Sequence, residues 1–321
     1  MLRIRPACSS MRRWRIRLAG GGLWSAHTAA APLVLGAKLI MLSKLDDWLV
    51  NHQPNPDLHG FKRFVVEFLF FGFKEARACL FAGLFFLAMF IVPKTGVLGL
   101  PRYDVLLIFA LIVQTAMVWF KLETLDELKA ITLFHIVGFV LEVFKTSTSI
   151  QSWAYPDFAY TKVLNVPLFT GFMYAAVGSY IIQAWRLFDL KIDSHPPYWL
   201  ATLTALLIYL NFFTHHYIPD YRWYIAAFAL GLYARTFVRF TPYDKERKMP
   251  LLLSFGLIGF FIWLAENIGT FVGIWQYPHQ IGAWSLVHMS KWSAWSLLVL
   301  MTFTIVVHLK HIKAKVHISK D

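Results

Sequence analysis

The chain has little cysteine, little charge and few acids. Two cysteines in 321 residues, Cys8 and Cys79, leave no disulfide framework and no cysteine-based metal site. Charged residues make up 15% of the chain, and 18 Asp and Glu stand against 31 Lys and Arg. So little charge excludes an ordinary soluble domain. The chain also lacks a phosphate-cradling Gly-x-x-x-x-Gly-Lys-Ser/Thr loop, a dinucleotide fingerprint and a Gly-x-Ser-x-Gly elbow. These absences argue against an ATP-driven pump built from this chain alone. No His-x-x-x-His or His-x-x-His-His run is present, so the residues point to no metal and no cofactor.

What is present is apolar. Hydrophobic residues make up 58% of the chain and aromatics 17%. Several apolar runs have the length needed to cross roughly 30 Å of hydrocarbon. They do not alternate as barrel strands would. The pattern predicts an all-α, polytopic membrane helix bundle of eight spans, near 76–92, 103–120, 130–147, 166–187, 197–214, 221–239, 250–268 and 284–308. Residues 44–75 read as an amphipathic, interfacial segment. Residues 1–43 form an extension rich in arginine (Arg3, Arg5, Arg12, Arg13, Arg15, Arg17), either disordered or preceding the native start at Met41. Residues 76–310 make one transmembrane domain, and 311–321 a basic tail.

The net charge of +13 reads as topology rather than as a nucleic-acid surface. Basic residues crowd the connections on one side, including Lys62, Arg63, Lys74, Arg77, Arg186, Lys191, Arg239 and Arg247. The other side carries Lys94, Arg102, Lys145, Lys162, Arg222 and Lys291. Positive residues stay inside, so both termini are expected in the cytoplasm of a bacterial inner membrane protein. The expected partners are membrane lipid and a lipid-soluble small molecule.

One phrase occurs twice. Glu142-x-x-x-Thr146 is followed by Trp153-x-Tyr155-Pro156, and Glu266-x-x-x-Thr270 by Trp275-x-Tyr277-Pro278. Each acid ends a long apolar run, where an isolated carboxylate is costly and marks a site by default. The spacing suggests a duplicated unit, about 62–185 and 187–310, in a parallel four-plus-four arrangement. Convergent loop chemistry is the alternative. Thr146 and Thr270 share the helix face of their acids and are placed to bond the acid or a ligand. The two tryptophans and two tyrosines are belt residues or the lid of a pocket.

The connection from Asn211 to Trp223 brings His215, His216 and Asp220 to the same expected leaflet, with His288 and Lys291 opening the last span. An imidazole beside a carboxylate suits proton transfer. Adjacent histidines on a regular helix diverge by about 100°, so one of the pair is expected to face water. Glu142, Glu266, His215, His216 and Asp220 are thus the candidate catalytic residues. Thr146, Trp153, Tyr155, Thr270, Trp275, Tyr277, His288 and Lys291 are the candidate substrate contacts. Lys74 and Arg77 are expected to snorkel to lipid phosphates, and Lys121 to Lys129 to form a solvated connector.

Four phrases resemble the uncharacterised bacterial membrane family catalogued as domain of unknown function 817. They begin at Phe73 (FKEARACLFAG), Pro167 (PLFTGFMY), Asn211 (NFFTHHY) and Trp263 (WLAENIGT). The resemblance covers roughly residues 45–310 and implies no activity. A local phrase, Glu142 with its downstream aromatics and then Val166-Pro167-Leu168 opening the next span, is similar to membrane carotenoid hydratases and cyclases. That similarity implies that one Glu protonates a polyene while the other acid or a histidine directs water. Three readings stay open: an intramembrane acid–base enzyme on an isoprenoid-like substrate, a small-solute or proton-coupled transporter, and a structural membrane protein.

Overall fold

A computed structural model describes residues 44–55 and 57–318, with side chains as far as His311. A short helix α1 (44–51) leads into α2 (Gly60–Ala78), α3 (Leu80–Ile91), α4 (Arg102–Trp119), α5 (Leu125–Lys145), α6 (Thr170–Leu187), α7 (Tyr198–Thr214), α8 (Arg222–Tyr233), α9 (Leu251–Phe271) and α10 (Ser290–Ile318). Two small antiparallel sheets interrupt them: β1 (Lys162–Val163) with β2 (Val166–Pro167), and β3 (Lys191–Asp193), β4 (Phe237–Phe240) and β5 (Arg247–Pro250) in that order. The expected extension over 1–43 lies outside the described residues.

Helices occupy each expected position. By length and composition, three of the described helices are long and apolar enough to cross a membrane: Arg102–Trp119, Leu251–Phe271 and Ser290–His311. Five boundaries differ from the sequence reading, one of them at the last helix: α10 opens at Ser290 rather than near 284 and runs on to Ile318, into the expected tail. The segment 44–75 is not one element, because turn residues around Pro54 separate α1 from α2, which runs on to Ala78 and passes at Cys79 into α3. The expected span over 221–239 stops at Tyr233. Its remainder, Phe237–Phe240, is β-branched and aromatic and is claimed by the β3–β4–β5 ladder. Val166-Pro167 is a strand rather than a helix opening, and α6 begins at Thr170. The connector from Lys121 to Lys129 holds the start of α5, where Thr124 and Glu127 form a reciprocal capping box.

Two charge assignments are corrected as well. Lys74 and Arg77 do not snorkel to lipid. Lys74 is buried and donates to the Thr241 carbonyl at 2.8 Å, and Arg77 grips Asp46 through two bonds of 2.7 Å. Glu123 is not solvated either. It is buried and accepts hydrogen bonds from Gln114 and from Ser179, both at 2.5 Å. In each case a long polar side chain found an interior partner, which hydropathy alone does not reveal.

Helix α6 is the axle of the bundle. Most of its positions are buried, and α2, α3, α5 and α10 pack around it. Its small residues allow this approach. A Cβ added at Gly178 would sit 2.1 Å from the Phe134 ring of α5, and one added at Gly138 of α5 would sit 2.3 Å from the Tyr174 ring of α6. The two helices therefore interlock, ring into glycine, in both directions. Helix α9 packs on α10 similarly, with Gly259 against Ser296.

At the far end from the repeated loops, the three-stranded sheet ties the α6–α7 connection to the α8–α9 connection. Ion pairs reinforce it: Arg239 with Asp193 at 2.7 Å, Arg247 with Glu67 at 2.5 Å and Arg63 with Asp244 at 2.6 Å.

Filling the interlock should break it. Gly178→Val forces a ring out of a packed site, an overpacking cost of about 1–3 kcal/mol or more. Thermal unfolding of the detergent-solubilised protein should show a lowered midpoint. Gly231→Ala, in open space on α8, should leave the midpoint unchanged or raise it.

Candidate functional site

Both repeated acids are buried within about one turn of their helix ends. Glu142 on α5 is 2% exposed and Glu266 on α9 is 4% exposed. Each is met by ring donors rather than by a counter-ion. Trp153 Nε1 donates to Glu142 Oε2 at 2.8 Å, and the Tyr155 hydroxyl donates to the same oxygen at 2.9 Å. The Tyr174 hydroxyl donates to Glu142 Oε1 at 2.8 Å. Around Glu266, the Tyr277 hydroxyl donates to Oε1 and Trp295 Nε1 donates to Oε2 at 2.7 Å. In both cases the acid takes one donor from the Tyr of its own loop and one from the helix that follows.

The two loops are joined. Ala154 and Gln276, the middle residues of the two Trp-x-Tyr phrases, exchange both backbone hydrogen bonds at 2.9 Å in an antiparallel bridge. Trp153 and Tyr277 meet edge to face with centroids 6.0 Å apart, and Tyr174 and Trp295 lie 6.2 Å apart. Lys291 stands at the seam, 4.7 Å from the Tyr277 ring centre and 5.1 Å from the Trp153 ring centre, within electrostatic reach of both acids. The copies differ at one ring. Trp275 does not reach Glu266 but packs on Gly269, where an added Cβ would lie 2.2 Å away. The shorter spacing between acid and loop in the second copy accounts for this.

Polar groups of α4 and of the following loop hold both aromatic loops in place. Asp104 accepts the backbone N–H of Tyr160 at 2.8 Å and of Thr161 at 2.9 Å. Lys162 caps the carbonyls of Tyr155 and Asp157. Arg102 donates to the carbonyls of Met89 and Val272, and the Tyr103 hydroxyl to that of Ile274. Arg102 and Lys162 thus act as clamps on backbone carbonyls, so the aromatic donors are presented from a braced platform.

Glu142 and Glu266 open on one cavity of about 840 Å³. Its wall is mostly apolar. It follows α6 from Tyr174 to Phe188, roughly 20 Å at about 1.5 Å per residue. Both acids, Lys145, Lys291, His215 and Arg222 line it near the aromatic loops, and Glu75 and Cys79 line it farther along α6. The Tyr180 hydroxyl donates to Glu75 at 3.1 Å.

Of the expected site residues, Glu142, Glu266, His215, Trp153, Tyr155, Trp275, Tyr277 and Lys291 line this cavity. The others serve nearby. Thr146 and Thr270 do not bond their acids; each donates back to a helix carbonyl, of Glu142 and of Asn267. His288 is exposed and bonds Ser290 at the start of α10. Asp220 is exposed, accepts the N–H of Arg222 at the start of α8 and pairs with its guanidinium at 3.2 Å.

The histidine pair corrects the sequence reading most sharply. The residues lie just past the end of α7, so the 100° divergence of a helix does not apply. Both converge on Lys145: its Nζ is 2.8 Å from His216 Nε2 and 3.3 Å from His215 Nε2. Their rings lie 4.1 Å apart. His215 Nδ1 lies 2.7 Å from the Asn211 carbonyl, so that nitrogen carries the proton and Nε2 offers its lone pair to the lysine. Among the described residues, no three His, Cys, Asp or Glu side chains converge as a metal site would require. Sequence reasoning missed Tyr174 and Trp295, whose only signal is their place in the helix after each loop, and Lys145 as a centre in its own right.

Burial, then the charge on Lys145, His215 and Lys291, lowers the His216 pKa to about 4 from its ordinary 6.5. Between those values the unfolded chain binds the proton and the folded chain does not, so stability falls as pH drops from about 6.5 towards 4. Unfolding midpoints of detergent-solubilised protein measured across that window should decline, and His216→Gln should flatten the decline.

The family described as Protein of unknown function (DUF817) matches residues 67–303. The uncharacterized protein YoaT of Bacillus subtilis (strain 168) is 46% identical over 251 residues, covering 78% of this chain and 94% of that protein. No solved structure matches. With the match spanning most of the chain, including both acids and both aromatic loops, the protein belongs to the DUF817 family.

Proposed function

We propose that the chain is an intramembrane enzyme that performs acid–base chemistry on a lipid-soluble substrate. The observation that carries this reading is the opening of Glu142 and Glu266 on one long, mostly apolar cavity, each acid oriented by its own ring donors. A substrate with an extended apolar body would lie along α6, with its reacting end between the acids. One carboxyl would deliver a proton and the other accept one. Tyr155, Tyr174, Tyr277 and Trp295 would hold the carboxyl groups in place, and the faces of Trp153 and Trp275 would stabilise a developing cation. An isoprenoid-like substrate suits this description.

The same proposal places the site in the outer leaflet. It takes the described helices as an eight-span bundle in a bacterial inner membrane, with the basic end and both termini in the cytoplasm. The matched donors around Glu142 and Glu266, and the symmetric exchange between Ala154 and Gln276, support a four-plus-four duplication. One observation favours the second reading, a transporter: the cavity continues from Glu142 to Glu75, past the middle of α6. Against it, the wall between those ends offers a polar solute few partners.

Glu142→Gln and Glu266→Gln should each abolish turnover at unchanged membrane abundance, since the shape and most ring contacts remain. Lipid extracts of cells producing the intact chain should contain a converted apolar species that both variants lack. Equal lipid profiles from intact and variant chains would sink the enzyme reading. Cysteine substitutions at Glu75 and Glu142 that label from opposite sides of the membrane would favour the transporter.

A further inference from the structure

Lys145 is not explained by acid–base work between the two glutamates. It is 5% exposed and lines the cavity end. Among the described residues it forms no ion pair with a carboxylate. Its nitrogen has two imidazole nitrogens as neighbours, and the other charges that act on it most are Lys291, Arg222 and Asp220. The cations resist an additional positive charge at that position, and Asp220 is already engaged by Arg222 and Asn211. A structural lysine would be expected to meet a carboxylate or carbonyl oxygens, as Lys74 and Lys162 do here. Desolvation and neighbouring cations are the two devices that convert a lysine from a charge into an amine nucleophile.

We infer that Lys145 is a Schiff-base lysine that captures a lipophilic aldehyde or ketone at the end of the apolar cavity, with His215 and His216 as its proton carriers. The inference rests on the lipid-substrate reading above and narrows the substrate to a carbonyl compound. The step balances with the groups at hand. The Lys145 ammonium gives a proton to an imidazole Nε2, and the free amine attacks the carbonyl carbon. The C–N bond forms as the carbonyl π-bond opens, and a proton passes from the attacking nitrogen to the oxygen to give a hydroxyl. The imidazolium returns a proton to that hydroxyl, which leaves as water, and the C=N bond closes. Aldehyde and ammonium give iminium and water, the imidazole is regenerated, and no oxidant or reductant is needed.

The geometry suits each part. His215 is fixed in the tautomer that presents a lone pair to Lys145, because its Nδ1–H is given to the Asn211 carbonyl. His216 is neutral near pH 7, and its Nε2 lies 2.8 Å from Lys145 Nζ, in line to relay a proton. Glu142 lies three residues before Lys145, on the same helix face, where Cβ atoms are about 5–6 Å apart. An iminium on Lys145 therefore forms beside a carboxyl group able to move a proton on the carbon chain next to it. The remainder of the substrate extends along α6 over apolar wall.

The test uses the full chain in detergent and a rigid polyenal, all-trans-retinal, followed by borohydride. The expected result is one retinyl adduct per chain, located on Lys145 by peptide mapping. Lys145→Arg should lose the adduct, and His215→Gln with His216→Gln should slow its formation at least tenfold while Lys145 remains. Matching unfolding midpoints exclude misfolding as the cause, and the His double variant keeps the test valid if Lys145→Arg does not fold. Labelling spread over the surface lysines, or equal labelling in Lys145→Arg, would overturn the proposal. So would tight binding of a long-chain phosphate by these groups without an adduct, which would make the cluster an anion site. Trapping needs no turnover, so a chain that traps normally as Glu142→Gln separates this inference from the acid–base reading.

Discussion

Two carboxyl groups buried without a counter-ion in contact are the constraint around which this molecule is arranged. Removing a carboxyl group from water is costly, and the chain meets that cost with phenol and indole donors rather than with arginine. Those donors must come from the right places. Tyr155 and Tyr277 come from loops, Tyr174 and Trp295 from the helices that follow, and the loops must be joined for both sets to face one space. The Ala154–Gln276 bridge makes that join with two backbone bonds and no side-chain chemistry, which leaves the flanking rings free to serve the acids.

Packing and site are coupled through α6. The glycine that admits the Tyr174 ring, Gly138, lies one turn before Glu142 on α5. The ring therefore fills a helix–helix contact with its body and holds a carboxyl oxygen with its hydroxyl. The same economy appears at α4, where Arg102, Tyr103 and Asp104 form the first turn of a helix: Arg102 and Tyr103 hold carbonyls of Val272 and Ile274 ahead of the second aromatic loop, and Asp104 holds the segment after the first. A site assembled from the ends of several apolar helices is rigid only if its loops are tied down, and here buried charges serve as the ties.

The cavity adds a directional character. Its cations and acids are gathered at one end, and the wall that follows α6 is apolar until Glu75. Within the polar end the charges separate again. Lys291 stands over ring faces between the two acids, while Lys145 faces two imidazoles. Two lysines of similar sequence setting, both near the ends of apolar helices, thus acquire different chemistry from their neighbours.

Much of this was legible in the chain. Apolar runs located the helices, the repeated Glu and Trp-x-Tyr phrases named most of the cavity's polar residues, and scarcity of acid made Glu142 and Glu266 conspicuous. These signals are local, set by period and composition, and survive without knowledge of the fold. What the residues alone could not decide was direction. His215 and His216 read as diverging, Lys74 and Arg77 as lipid-facing, Glu123 as solvated, Thr146 and Thr270 as ligands, and Phe237–Phe240 as helix. The threonines turn back on their own helices, and every other outcome depends on a partner distant in sequence: Lys145, Thr241, Asp46, Ser179, or the strands on either side of β4. The sequence by itself determined that costly polar groups sit at the ends of apolar helices. Only the tertiary structure decided which of them meet, because a buried polar group is satisfied by whatever the fold brings within about 3 Å, and that depends on contacts no local pattern encodes.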